Sequence, residues 1–145
     1  MTIEEIIEYV TGLGGVLAMQ PSEGSEAPEI AWGDTFFYYA PDGVVPAGQP
    51  FATIVTKDYP GDETSDLNRP GSFRVNIAVS KTTFTDAAAP TDASLEDTVV
   101  AHPLYAAANW LAVVNPGAAT EASVRELLRE AHDRARTRSE RRAAE

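Results

Sequence analysis

The sequence contains no cysteine. Disulfide frameworks, thiolate metal sites and cysteine nucleophiles are thereby excluded. It also lacks any apolar run approaching the ~20 residues of a bilayer span. Met1-Thr2-Ile3-Glu4-Glu5 carries acids where a signal peptide carries positive charge. A cytoplasmic protein with no membrane association is expected. Positive charge is scarce. Residues 1–120 hold 16 acids and four bases (Lys57, Arg69, Arg74, Lys81), so −12, whereas residues 121–145 hold six acids and seven arginines. An anionic body repels phosphate backbones and anionic headgroups, so nucleic acid is a disfavoured partner. The catalytic signatures GxSxG and HExxH are missing. Gly12-Leu13-Gly14-Gly15 follows a helical pattern rather than a strand and lacks Gly-Lys-Ser, which removes a phosphate-loop reading. No motif calls for a cofactor.

What is present reads as a globular chain: 145 residues, 43% hydrophobic and 23% charged. Thr2 is followed by the acids Glu4 and Glu5, and Ile3, Ile6, Ile7 and Val10 recur at helical spacing, which places a helix at the N-terminus, ended by Gly12 to Gly15. A short apolar stretch, Val16 to Met19, follows. Glu29 to Trp32 and Thr35 to Tyr39 flank Gly33-Asp34, a pair suited to a tight hairpin turn. Phe51 to Lys57 and Phe73 to Val79 read as strands. In the second of these the odd positions are apolar, so Arg74 and Asn76 lie on the opposite face. In the same way Phe37 and Tyr39 separate from Phe36 and Tyr38. Lys81 to Ala89 suits a short helix capped by Thr82 or Thr83. Trp110 to Val114 is a further strand. Thr120 starts a closing helix with Val124, Leu127, Leu128, Ala131 and Ala135 on its apolar stripe. The expected fold class is α+β: a single antiparallel sheet of about five strands with the N-terminal and C-terminal helices packed on one face. Residues 1–137 form one domain in this reading, and 138–145 are a frayed or disordered arginine-rich tail.

The blocks EIAWGDTFFYY, FATIVTKDYPGD, RPGSFRVNIAVSKTTF and HPLYAAANWLAVVNPGAAT resemble a bacterial domain of unknown function, the one numbered 6194, over nearly the whole chain. That family carries no activity to transfer, so the resemblance bears on fold. More distantly, the order of elements and the closing tryptophan strand plus helix resemble the MmcQ/YjbR group, small α+β proteins with a double-wing, CyaY-like arrangement. This second resemblance implies DNA binding.

Candidate chemistry gathers around the middle strands. Lys57, Asp58, Arg69, Arg74 and Asn76 concentrate the scarce bases near one place, where arginine could hold a carboxylate or phosphate through two hydrogen bonds. The competing reading is that these bases neutralise neighbouring acids. His102, before Pro103 and near Tyr105, is a ligand-binding candidate, a general base working with an acid such as Asp58, or a structural histidine bonded to a backbone carbonyl. His132 is expected to be solvated or to serve the helix dipole. Asp58, Asp62, Glu63 and Asp66 have the wrong spacing for a calcium loop, and no metal site is assigned. The segment 58–72 is long enough to be functional or mobile. The aromatics on both faces of the second strand leave a sheet face for a partner or a homodimer. The expectation is a non-enzymatic binding or interaction domain for a small anionic ligand or a protein partner. The ligand-binding set is Lys57, Asp58, Arg69, Arg74, Asn76, His102 and Tyr105. The alternatives are a DNA-binding protein and an enzyme using His102.

Overall fold

The Thr2 hydroxyl accepts the Glu5 backbone N–H while the Glu5 carboxylate accepts that of Thr2, a reciprocal cap that starts α1 (Ile3–Thr11). A computed structural model describes the whole chain, Met1–Glu145. After α1 come β1 (Val16–Met19), β2 (Thr35–Tyr39), β3 (Ala52–Val55), β4 (Arg74–Ala78), α2 (Lys81–Ala87), β5 (Val99–Ala101), β6 (Trp110–Val114) and α3 (Glu121–Ala143). Single 3₁₀ turns lie at Glu29–Ala31 and Ala106–Ala108. The fold is α+β, with one antiparallel sheet in the order β1-β2-β3-β4-β6-β5. No helix is long and apolar enough to cross a membrane.

Register divides the sheet into two faces. Ala18, Phe37, Ala52, Ile77 and Leu111 are cross-strand neighbours, and beside them run Ile54, Val75 and Val113. This inner face is sealed by Ile6 and Val10 of α1 and by Val124, Leu128 and Ala131 of α3, all at most 1% exposed. Helices with one apolar stripe bury it best on a flat apolar surface, so both terminal helices lie on this side. The alternate residues Phe36, Thr53, Asn76, Ala112 and Val100 form a row on the outer face.

The sheet has six strands rather than about five, and the reason lies in β1 and β5. Val16 to Met19 pairs with β2, and Val99 to Ala101 pairs with β6. Both are too short to show a period of two. The expected hairpin across Gly33-Asp34 does not form. Glu29–Ala31 is a 3₁₀ turn, Gly33 donates its N–H to the Pro21 carbonyl, and β2 takes the wholly apolar β1 as its partner. Gly33 does adopt a positive φ of 89°, so the glycine signal marks a sharp bend into β2 rather than a hairpin.

Two caps also differ from expectation. Ser80, not Thr82 or Thr83, caps α2. Thr120 makes no capping bond with its side chain. Instead Asp97 accepts the N–H groups of Gly117, Ala119 and Thr120 and the Thr120 hydroxyl. Those bonds, the Thr120 hydroxyl foremost, hold its carboxyl below the ordinary range. His132, expected in solvent, is 3% exposed, and its Nε2–H donates to the Gly14 carbonyl at 2.7 Å. The turn after α1 approaches α3 closely enough to supply that acceptor. Leu128 is fully buried, while its neighbour Leu127 is half-buried. Trp110 faces the opposite side of the sheet from both. The helix α3 runs to Ala143, past its last apolar contact at Ala135.

Candidate functional site

Arg74 is the largest fully buried side chain in the protein. Alternation along β4 places it on the outer face, which no helix covers, so its burial must come from elsewhere. It comes from the loop between β3 and β4. Asp34, 1% exposed, accepts the backbone N–H and hydroxyl of Thr56 and the Lys57 ammonium, each at 2.8 Å, and it also accepts the Tyr59 hydroxyl. Burial and then Asp34 raise the Tyr59 phenol above its usual range. Asp58 accepts the Leu67 N–H while Asn68 accepts the Asp58 N–H, which closes the segment into a compact loop. Leu67, 1% exposed, then packs on Val55 and Val114 of the outer face.

This loop carries Asp62 and Ser65 onto Arg74. The guanidinium donates Nη1 to Asp62 Oδ1 (3.0 Å) and Ser65 Oγ (2.9 Å), Nη2 to Asp62 Oδ2 (2.6 Å), and Nε to Asn76 Oδ1 (2.8 Å). Asn76 in turn donates to Thr53. Four of the five N–H groups of arginine are thereby used. Burial alone would raise the Asp62 carboxyl, but the hydrogen bonds and charge of Arg74 outweigh it and hold the group below its ordinary value.

The fifth donor of Arg74 points at His102, with Nη2 3.4 Å from Nε2. His102 is 3% exposed and lies just after β5, and its Nδ1 accepts the backbone N–H groups of Leu104 (3.0 Å) and Tyr105 (3.1 Å). A nitrogen that accepts two N–H groups carries no proton, so the proton of the neutral ring resides on Nε2. Nε2–H and Arg74 Nη2–H are then two donors facing each other, both buried, and neither supplies an acceptor. A proton on Nδ1 would instead oppose two N–H groups at shorter range. Burial, then the Arg74 charge, pushes the His102 pKa down to about 4, so the ring is neutral at physiological pH. Tyr105 stacks on the imidazole with ring centroids 4.7 Å apart and is itself 54% exposed; Trp110 meets the ring edge-on at 6.4 Å.

The residues expected to bind a ligand go four ways. Arg74, Asn76, His102 and Tyr105 come together. Lys57 belongs to the Asp34 cluster and also donates to the Trp32 carbonyl. Asp58 is spent on closing the loop, and Arg69 lies outside, between Asp66 and Glu96. Of the acids weighed as cation ligands, Glu63 accepts the Gly61 N–H and only Asp62 enters the cluster. The carboxylate beside His102 is thus Asp62 rather than Asp58. Sequence reasoning missed Asp62, Ser65 and Asp34 as partners. The available signal was the excess of polar residues in a loop flanking a strand that carries a lone arginine. An open surface groove lies elsewhere, along α3, where arginines such as Arg129 and Arg134 alternate with Glu126, Glu130 and Asp133, and no hydrophobic residue lines it.

With this geometry in hand, a family model matches residues 1–144, that of a family of unknown function (DUF6194). The chain belongs to that family. No curated protein and no solved structure matches it. This DUF6194 chain presents a polar cluster on the outer face of its sheet. The cluster contains one ion pair, one neutral imidazole with a donor turned inward, and an exposed tyrosine stacked over it.

Proposed function

We propose that this protein is a non-enzymatic binding domain of the bacterial cytoplasm that takes a small carboxylate- or phosphate-bearing ligand at Arg74, His102 and Tyr105. The observation that carries this reading is the approach of two buried nitrogens, Arg74 Nη2 and His102 Nε2, to 3.4 Å while His102 Nδ1 already accepts two backbone N–H groups, an arrangement that leaves both nitrogens as donors. One anionic oxygen placed beside them would accept from both, and a buried donor with no acceptor is costly, ~1–3 kcal/mol. Tyr105, half exposed and stacked on the imidazole, is the side chain whose rotation admits the ligand. A catalytic role for His102 has less support. Its Nδ1 is blocked by two N–H groups, its Nε2 already holds a proton, and a pKa of about 4 makes it a poor base near neutrality.

The test uses acetate and inorganic phosphate as probes in thermal melts. Ligand at ~100 times its Kd adds about 2.7 kcal/mol of stability, which raises the Tm of a domain of this size by several degrees. His102→Asn keeps a side-chain acceptor for the Leu104 and Tyr105 N–H groups but removes the Nε2 donor. A Tm rise in the wild type that His102→Asn abolishes supports the reading. No rise with either anion, or an equal rise in the variant, overturns it.

A second reading, polyanion binding through α3 as in the double-wing analogy, draws on one observation. Arg134, Arg138 and Arg142 follow one another at helical spacing without a carboxylate within ion-pair distance, and burial, then these neighbours, holds Arg138 below its ordinary pKa. Filter binding of duplex DNA at low salt, with Arg134→Glu/Arg138→Glu/Arg142→Glu as control, tests it. Equal retention of both proteins removes the reading.

A further inference from the structure

The two edges of the sheet are finished differently. At β5 the N–H of Ala101 points off the edge and is taken by the Pro90 carbonyl at 2.9 Å. The chain itself thus occupies part of that edge. At β1 nothing comparable occurs. The bond from Ala40 N–H to the Gly15 carbonyl sets the phase of the β1–β2 ladder. Gly15, Leu17 and Met19 are then the residues bonded to β2, and the N–H and C=O groups of Val16 and Ala18 point away from the sheet. No side chain, turn or loop backbone bonds to them. All four residues of β1 are half-buried and none is charged. The edge has no lysine, no proline within it, no bulge and no covering segment, which are the usual protections against pairing.

We infer that β1 is the seam of a homodimer in which two copies of this chain pair antiparallel, edge to edge, through Val16 and Ala18. The strand is complementary to itself. With Val16 opposite Ala18 of the second copy, and the reverse, all eight free backbone groups of the two strands enter four hydrogen bonds, and Leu17 lies on the two-fold axis beside its symmetry mate. Side-chain period keeps the faces matched: Leu17 and Met19 continue the outer face, and Val16 and Ala18 the inner one. Charge favours this place over others. The protein is strongly anionic, yet from Tyr9 to Ser22 the chain holds no charged residue, so two copies meet here without opposing acids directly at the seam. The product is one continuous sheet spanning both protomers, with the Arg74–His102 cluster of each several strands from the seam and independent of it.

Sedimentation velocity over a range of concentration reads the mass, and hydrogen exchange reads the seam. The wild type should sediment at twice the 15.5 kDa of the chain. The Val16 and Ala18 amides should be protected in the dimer and exchange freely on dilution, while those of Leu17 and Met19, bonded to β2, stay protected throughout. Ala18→Pro removes an outward N–H that no intramolecular bond uses, a substitution edge strands tolerate, and should yield a monomer whose circular dichroism is unchanged. Leu17→Lys, with a charge on the axis, should do the same and guards against misfolding of the proline variant. A wild type that stays monomeric to the highest micromolar concentrations overturns the inference, as does a dimer that both variants retain.

Discussion

On the inner face of the sheet, Phe37, Ile54, Val75, Leu111 and Val113 are excluded from water by two helices; on the outer face, Arg74 and Asn76 are excluded almost as completely by a loop. The first arrangement is apolar and indifferent to the exact partner, since burial of hydrocarbon is non-directional. The second depends on named atoms. Removing Asp62 would leave a buried guanidinium short of its counter-charge, and removing Tyr59 or Thr56 would loosen the anchor at Asp34. The contrast teaches where each half is vulnerable: the inner face to lost volume, the outer face to lost partners and to protons.

The largest effect is expected where a partner is lost. Arg74→Ala strands the buried Asp62 carboxylate and should cost about 3–5 kcal/mol in urea unfolding. The double variant Arg74→Met/Asp62→Leu should recover most of that loss, because well-packed hydrocarbon replaces a buried ion pair at little cost. If the double variant is as weak as the single one, the outer face depends on the shape of the loop rather than on charge, and the contrast between faces fails.

Next comes volume. Leu128→Ala should cost about 2–5 kcal/mol and Leu127→Ala clearly less, as Leu127 is only half-buried. Equal losses would show that the rim of α3 is packed as tightly as its centre.

Protons supply a sharper discriminator. His102 has a folded pKa of about 4 against an ordinary 6.5. Between those values the unfolded chain binds a proton that the folded chain does not, so stability is full above pH 6.5 and falls as the pH drops toward 4. The contribution is on the order of 3 kcal/mol. Asp62, depressed in the fold, adds a loss at still lower pH as it is protonated. Unfolding free energy measured from pH 7.5 to 4 should show this slope in the wild type and a flatter one in His102→Asn. An unchanged slope would place the acid sensitivity elsewhere than on the outer face.

The smallest effect is expected at the end of α3. Deleting residues 138–145 removes no side chain from the core and should change the Tm by about 2 °C or less, on the scale of ~0.5 kcal/mol for surface changes. A loss comparable to Leu128→Ala would show that the arginines of this last segment are docked on the body.

Several features were legible in the sequence. The stripe Val124, Leu128, Ala131 in α3, the helix start at Thr2 with its acidic first turn and the alternation that separates Arg74 and Asn76 from Val75 and Ile77 all depend on neighbours within a few residues. Such local periods are carried by the chain itself. The same alternation assigned Phe37 and Phe36 to opposite faces, and so required that something cover or use the second one.

The rest depended on long-range pairing. Nothing near Asp62 in sequence identifies Arg74 as its partner, and His102 is brought to that arginine only because β5 and β6 add to the sheet beside β4. The hairpin expected at Gly33 lost to β1, whose four apolar residues offer β2 a better ladder than Glu29 to Trp32 could. The capping role expected of Thr120 passed to Asp97, which only the fold brings to that helix end. Sequence alone determined which residues could be buried and on which face of their own element. Tertiary structure decided which buried donors met which acceptors, because hydrogen bonds and ion pairs are short-ranged and directional, and the groups that form them here are brought within reach only by the assembled sheet.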